Sequence, residues 1–175
     1  MDKSNPARLA FSFQMTISDY RRMMYFNTFD RQRRQTAFLL TAWAVSLSVI
    51  LLEHFAVIGP LEKITHACLM LISALIPFLV GTTEFAVWRF KHNNPGELTA
   101  RRTITLTKDG VEQARDDRKD VGVEKWSDFD RIYETAALFI FYRSAKQLAL
   151  LPKRAVPDEL MPEVRELLTR QAREH

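Results

Sequence analysis

Two apolar runs set the terms for this chain. Residues 38–52, FLLTAWAVSLSVILL, carry no charge, and the uncharged stretch extends from Thr36 to Leu52. After the turn GPLEK at residues 59–63, a second run, ITHACLMLISALIPFLVGTT, fills residues 64–83 without a formal charge. At about 1.5 Å of rise per residue, a helix of that length reaches about 30 Å, the hydrocarbon thickness of a bilayer. The first run reaches it only by extension through Phe55–Ile58, which puts Glu53 and His54 near the end of the span. Polar side chains there snorkel to the interface. A soluble fold would have to bury both helices on all sides. The rest of the chain offers only short strands and one helix. The reading is therefore a transmembrane hairpin, residues 36–90, with spans at about 37–58 and 64–83.

Charge placement gives the hairpin a direction. Arg21, Arg22, Arg31, Arg33 and Arg34 precede the first span; Arg89, Lys91, Arg101 and Arg102 follow the second. The turn holds Lys63 beside Glu62. The positive-inside rule then puts both termini in the cytoplasm. Seven basic and three acidic side chains stand in residues 1–35, whereas 36–95 and 96–175 are each balanced, so the net charge of +4 is juxtamembrane. Its expected partner is anionic membrane lipid. Nucleic acid is not expected, because the basic stretch RQRR lacks interleaved aromatic residues. The first 35 residues show no apolar secretory leader, and the single cysteine, Cys68, rules out an intrachain disulfide framework.

The flanking segments read as sheet and helix. In LAFSFQMTI, Leu9, Phe11, Phe13, Met15 and Ile17 alternate with smaller or polar residues, the period of a half-buried strand. Ser18 or Asp19 then caps a helix running toward Arg34. A lone strand is unstable, so residues 8–17 are expected to join strands beyond the hairpin, making residues 1–35 a strand and juxtamembrane helix packed with the C-terminal sheet. Strands are expected on either side of Lys108-Asp109-Gly110, a hairpin signal. DDRKD reads as a solvated loop, and further strands follow at VGVEKW, FDRIYE, ALFIFYRS and QLALLP. PDELMPEVRELLTRQ has Leu160, Val164, Leu167 and Leu168 at helical spacing, with Pro162 in the first turn. Such an order suggests a small open barrel or sandwich over residues 96–175, capped by the helix. Trp126 suits an aromatic filling one end of it, with a ligand-stacking role as the alternative.

In order, these segments resemble a known family. A strand followed by Asp19-Tyr20, a two-helix hairpin, ITLTKDGV, WSDFDRIYET, FIFY and LPKR are similar to the YcxB-like family of bacterial membrane proteins, from about Phe11 to Leu168. The best-matching positions are Asp19, Tyr20, Asp109, Gly110, Trp126, Glu134, Tyr142 and Pro152-Lys153-Arg154. Ala155-Val156 departs from the aromatic expected after Lys153-Arg154. The resemblance implies a membrane α+β protein of the bacterial inner membrane, whose cytoplasmic β-barrel or sandwich is pleckstrin-homology-like. It implies no catalytic residue.

Chemistry-bearing constellations are scarce. No two of His54, His66, His92 and His175 stand four apart as in a helical zinc site. The five glycines are spread singly, so there is no phosphate loop. Asp128, Asp130 and Glu134 read as a solvated strand face. No catalytic, cofactor-binding or metal-binding residue is expected. Arg143, Lys146, Lys153 and Arg154 form a candidate basic rim for headgroups or a partner, against a default of ordinary surface charge. Glu53, His54 and His66 form a candidate intramembrane polar cluster; the default for His66 is a bond to a backbone carbonyl of the neighbouring helix. Ala42, Ala44, Ser46 and Ser48 in the first span, and Ser73, Ala74 and Gly81 in the second, give small-residue spacing that allows close packing, within the hairpin or between copies. The expectation is a non-enzymatic, membrane-tethered binding module whose cytoplasmic barrel engages a protein segment or anionic lipid. A protein partner and a homo-oligomer stay open. The alternatives are an oligomeric channel- or transporter-like element and a protective, immunity-type membrane protein.

Overall fold

The structure is a computed structural model and describes residues 8–31, 33–143 and 147–174. The chain forms two compact units: the segment up to Tyr20 together with Asn94 onward, and Arg21–Asn93.

In the first unit, strand β1, Leu9–Gln14, has the burial alternation that its side chains dictate, with Leu9, Phe11 and Phe13 inward. It pairs antiparallel with β2, Arg101–Leu106, matching Phe11 to Ile104 and Gln14 to Arg101. On the outer face the hydroxyls of Ser12 and Thr103 meet at 2.8 Å. β3, Gly110–Arg115, and β4, Arg118–Lys125, complete a sheet of order β1-β2-β3-β4. β4 begins inside the charged DDRKD stretch, so only Asp116-Asp117 remain as the turn. Arg115 clamps that turn, donating to both carboxylate oxygens of Asp117 at 2.8 and 2.7 Å. A short helix before β2, Pro95–Thr99, supplies Glu97, which Arg115 also reaches at 2.5 Å.

The chain then changes sheets. A single 3₁₀ turn, Trp126–Asp128, leads into β5, Arg131–Glu134; β6, Leu138–Arg143, and β7, Gln147–Pro152, follow in the order β5-β6-β7. β4 and β5 do not pair; where an open barrel or a sandwich was expected, the described residues form two antiparallel sheets, neither closed as a barrel. The physical reason sits at the corner. Trp126 is 4 % exposed, donates its indole N–H to Thr107 O at 3.0 Å, and packs on Phe129 and Phe141 at ring separations of 6.1 and 6.4 Å. The terminal helix, Met161–Glu174, adds Val164 and Leu168 to the same core as Phe11, Ile104, Phe139 and Phe141. Pro162 falls in its first turn, where no intrahelical amide is lost.

In the second unit an N-terminal helix ends and two long ones follow. The N-terminal helix, α1, spans Ile17–Tyr25 and runs on through a π-helical turn, Phe26–Asp30. α2 is Arg33–His54 and α3 is Lys63–Asn93. α2 stops short of the expected span. Val57 N donates to Leu52 O and Ala56 N to Glu53 O, at 2.9 and 3.0 Å, with Ala56 at φ 56°. These bonds form a Schellman C-cap, which ends the helix before Phe55–Ile58. α3 runs ten residues past the expected Thr83, because the charges after it do not break a helix; Asn94-Pro95 does.

α2 and α3 run antiparallel, joined by polar contacts: Trp43 Nε1 donates to Ser73 O at 2.9 Å, and Ser46 Oγ to Leu69 O at 2.6 Å while meeting Ser73 Oγ at 3.1 Å. The outward surface is apolar, with Phe38, Leu71, Phe78 and Phe85 exposed.

Gly110 is held by space. Its φ is not positive, yet a Cβ there would lie 2.0 Å from the carbonyl oxygen of Glu124 on β4. Gly110→Ala must push β3 and β4 apart and should cost about 1–3 kcal/mol. A urea melt of the full-length protein in detergent, read from Trp126 fluorescence in a Trp43→Phe, Trp88→Phe background, measures it; an unchanged midpoint would contradict the close approach.

Candidate functional site

The expected basic rim resolves into ion pairs. α1 starts with a capping box: Thr16 Oγ1 accepts from Asp19 N at 3.2 Å, and Asp19 Oδ2 accepts from Thr16 N at 2.9 Å. The cap is thus Thr16, with Asp19 in the first turn, rather than Ser18 or Asp19. Asp19 is 3 % exposed, and its Oδ2 also accepts from Arg154 Nη2 at 2.5 Å. The same guanidinium nitrogen donates to Gln14 O at 2.7 Å. Burial pushes the Asp19 carboxyl up, but the Arg154 guanidinium and the Thr16 donors outweigh it and hold the group below the usual carboxylate range.

Lys153 reaches Glu134 at 2.6 Å and stands 5.1 Å over the Phe139 ring; Arg165 reaches the same Glu134 oxygen at 2.9 Å. Burial raises the Glu134 carboxyl, and the two cations bring it below its ordinary value. Arg143 donates to Glu124 at 3.0 Å. Lys146 lies outside the described residues. Arg143, Lys153 and Arg154 each meet a carboxylate: Glu124, Glu134 and Asp19. The sequence displays the cations but not their partners, since Asp19 and Arg154 stand 135 residues apart.

The expected polar cluster in the hairpin is partly assembled. His66 Nδ1 lies 2.7 Å from Glu53 Oε2, and Glu53 Oε1 accepts from Leu61 N at 3.0 Å. His66 thus bonds a carboxylate and not a backbone carbonyl of the neighbouring helix. The physical reason is that α2 ends at His54, which turns Glu53 back over the connection. His54 lies instead edge-on to Phe55, with ring centres 5.5 Å apart. At the other end of the hairpin Glu84 takes Tyr25 OH at 3.0 Å and Arg21 at 3.2 Å, a pairing the sequence did not disclose. Among the described residues, no group of three or more His, Cys, Asp or Glu side chains could hold a metal ion.

One further feature lies beside the corner where the sheets separate. A cleft of about 270 Å³ is lined by Trp126, Phe129, Asp130, Arg131, Ile132, Tyr133 and Gln171. Its only signal in the sequence is WSDFDRIYET, where aromatic residues alternate with charges.

The Asp19–Arg154 pair gives a pH dependence with a fixed sign. A carboxyl whose folded pKa lies below its unfolded value of about 3.9 stabilises the fold above that pH, and the contribution is lost as pH falls through the folded value. Melts of the full-length protein from about pH 6 to about pH 2 should show wild type losing more stability than Asp19→Asn across that acid window. Arg154→Met, which leaves the buried carboxylate short of a donor, should cost about 1–3 kcal/mol near neutral pH. Parallel curves for wild type and Asp19→Asn would contradict the pairing.

The family model for YcxB-like proteins matches residues 106–168. The match lies within the first unit; β1 and the α2–α3 hairpin, which the resemblance also took in, fall outside it. No curated protein and no solved structure matches the chain. From the end of β2 into the terminal helix, the chain is similar to YcxB-like proteins.

Proposed function

We propose that the chain is an integral protein of a bacterial inner membrane, with α2 and α3 crossing the bilayer, both termini cytoplasmic, and the two-sheet unit acting as a non-enzymatic binding module. The observation that carries this reading is the hairpin's surface. α2 and α3 are 22 and 31 residues long, and almost none of their apolar windows is buried by protein. Their polar groups turn onto each other, at Trp43–Ser73 and Ser46–Leu69, as expected of helices solvated by hydrocarbon. That inward pairing also argues against a polar pore. The arginines before α2 supply the orientation through the positive-inside rule.

Four strands, three strands and a terminal helix resemble a pleckstrin-homology-like sandwich, a scaffold suited to recognition. The cations of the candidate rim are engaged: Arg143, Lys153 and Arg154 already hold carboxylates. A protein segment is therefore the favoured ligand over lipid headgroups, which the juxtamembrane arginines meet.

Two measurements on the full-length protein in its own membranes test the reading. Carbonate washing should leave the protein in the pellet; release would contradict the spans. Photoreactive residues placed at Val123, Lys108 or Glu159 on the module should give adducts with a second protein, whereas residues at Phe55 and Val57 should give none. Adducts confined to hairpin positions, or to other copies of the hairpin, would favour an oligomeric channel and contradict the module.

A further inference from the structure

The place where the barrel fails to close is the most informative surface of the molecule. β5 pairs with β6 alone, so the three-stranded sheet ends at β5. Thr135 N donates to Leu138 O at 2.9 Å and closes the β5–β6 turn. Bonded and non-bonded pairs alternate along an antiparallel ladder. Counting back from Thr135, the Tyr133 amide faces β6, and the amides of Ile132 and Glu134 face away from it, toward the open edge.

The 270 Å³ cleft lies against this strand, with Trp126 and Phe129 before it and Gln171 of the terminal helix contributing to the lining. Both walls are held in place. Trp126 is tied to Thr107 O at 3.0 Å, and the helix is fixed by Val164 and Leu168 in the core and by Arg165 on Glu134. Little ordering cost remains for a ligand that enters. The volume is below the usual range for a small-molecule pocket, about 300–1,000 Å³. It suits one side chain of a longer ligand whose backbone stays outside.

We infer that this cleft is a strand-addition site: an extended segment of a protein partner pairs with the open edge of β5 and seats an apolar side chain against Trp126, Phe129 and Ile132. Main-chain hydrogen bonds supply affinity, and the cleft selects alternate side chains. Arg131 is exposed, lies next to Ile132, and is steadied by the Tyr133 hydroxyl at 3.4 Å. Neighbouring residues on a strand point to opposite faces. The segment therefore carries an acidic residue next to its apolar one. This site rests on the binding-module reading and names its ligand.

The test is a phage-displayed library of peptides of about eight residues, panned on the full-length protein in nanodiscs. The site predicts enrichment of sequences in which an apolar residue adjoins an acidic one. The selected peptides should bind at least about tenfold more weakly to Gln171→Trp, which fills the cleft from the helix side. They should also lose binding to Ile132→Pro, which removes an outward amide at an edge position where proline is tolerated. Affinity should be unchanged in Ala10→Lys, an exposed position on β1. Added peptide should slow amide exchange at Ile132 and Glu134. Peptides that bind Gln171→Trp as well as wild type would overturn this site while leaving the module reading intact. Peptide-independent dimers abolished by Gln171→Trp would overturn it in favour of a second copy of the chain. Failure to enrich any peptide on wild type over Gln171→Trp would overturn it as well.

Discussion

The ladder between β1 and β2 is the interaction on which the architecture depends. β1 precedes the whole α2–α3 hairpin and β2 follows it, yet Gln14 and Arg101 are register partners. Phe11 and Phe13 from one side of the insertion complete a core made otherwise from the other side. Closing a ladder across so long a segment would carry an entropic cost that grows only slowly with length. An antiparallel hairpin reduces it further by returning the chain to the side from which it left. The hairpin is in effect an insertion in one β-connection of a small two-sheet unit. Asp19 strengthens the join: it sits just after β1 and is held by Arg154, which follows β7.

This arrangement accounts for how the chain spends its charges. The two-sheet unit is electrically balanced, and its described basic residues largely serve carboxylates within it. The net positive charge lies in residues 1–35, up to the first turn of α2. On the proposed binding-module reading, recognition rests on shape and main-chain pairing more than on bulk charge. The unclosed gap between β4 and β5 supplies an edge for such pairing. Trp126 keeps the gap from collapsing, because its indole fills the corner on one side and lines the cleft on the other.

Much of this was legible in the sequence, for reasons that differ by element. β1 was readable because Leu9, Phe11 and Phe13 alternate without interruption, and the terminal helix because Val164, Leu167 and Leu168 keep helical spacing. The end of α2 was not readable: Ala56 takes a left-handed conformation that favours glycine, so no residue marked the cap. The length of α3 was hidden because hydropathy reports where an apolar run ends and not where a helix ends. VGVEKW disclosed most of β4, and only its start was masked by DDRKD, since a strand at the edge of a sheet tolerates charges that a central strand does not. The choice between barrel and sandwich turns on whether β4 meets β5, a long-range fact that strand patterns do not encode. The basic residues were visible as charges, but their partners were set by the fold. For His66 the favoured partner was a backbone carbonyl, and the structure gives the carboxylate of Glu53 instead.

A disulfide across the β1–β2 ladder tests the central claim most directly. Ser12 and Thr103 face each other on the outer surface of the sheet, with hydroxyl oxygens 2.8 Å apart. In a Cys68→Ala background, full-length Ser12→Cys, Thr103→Cys protein should oxidise to an intramolecular disulfide in the membrane, detected as a faster-migrating monomer under non-reducing conditions. Thiols that stay reduced, or that link one copy to another, would show that the strand before the hairpin does not pair with the strand after it, and the account would fail.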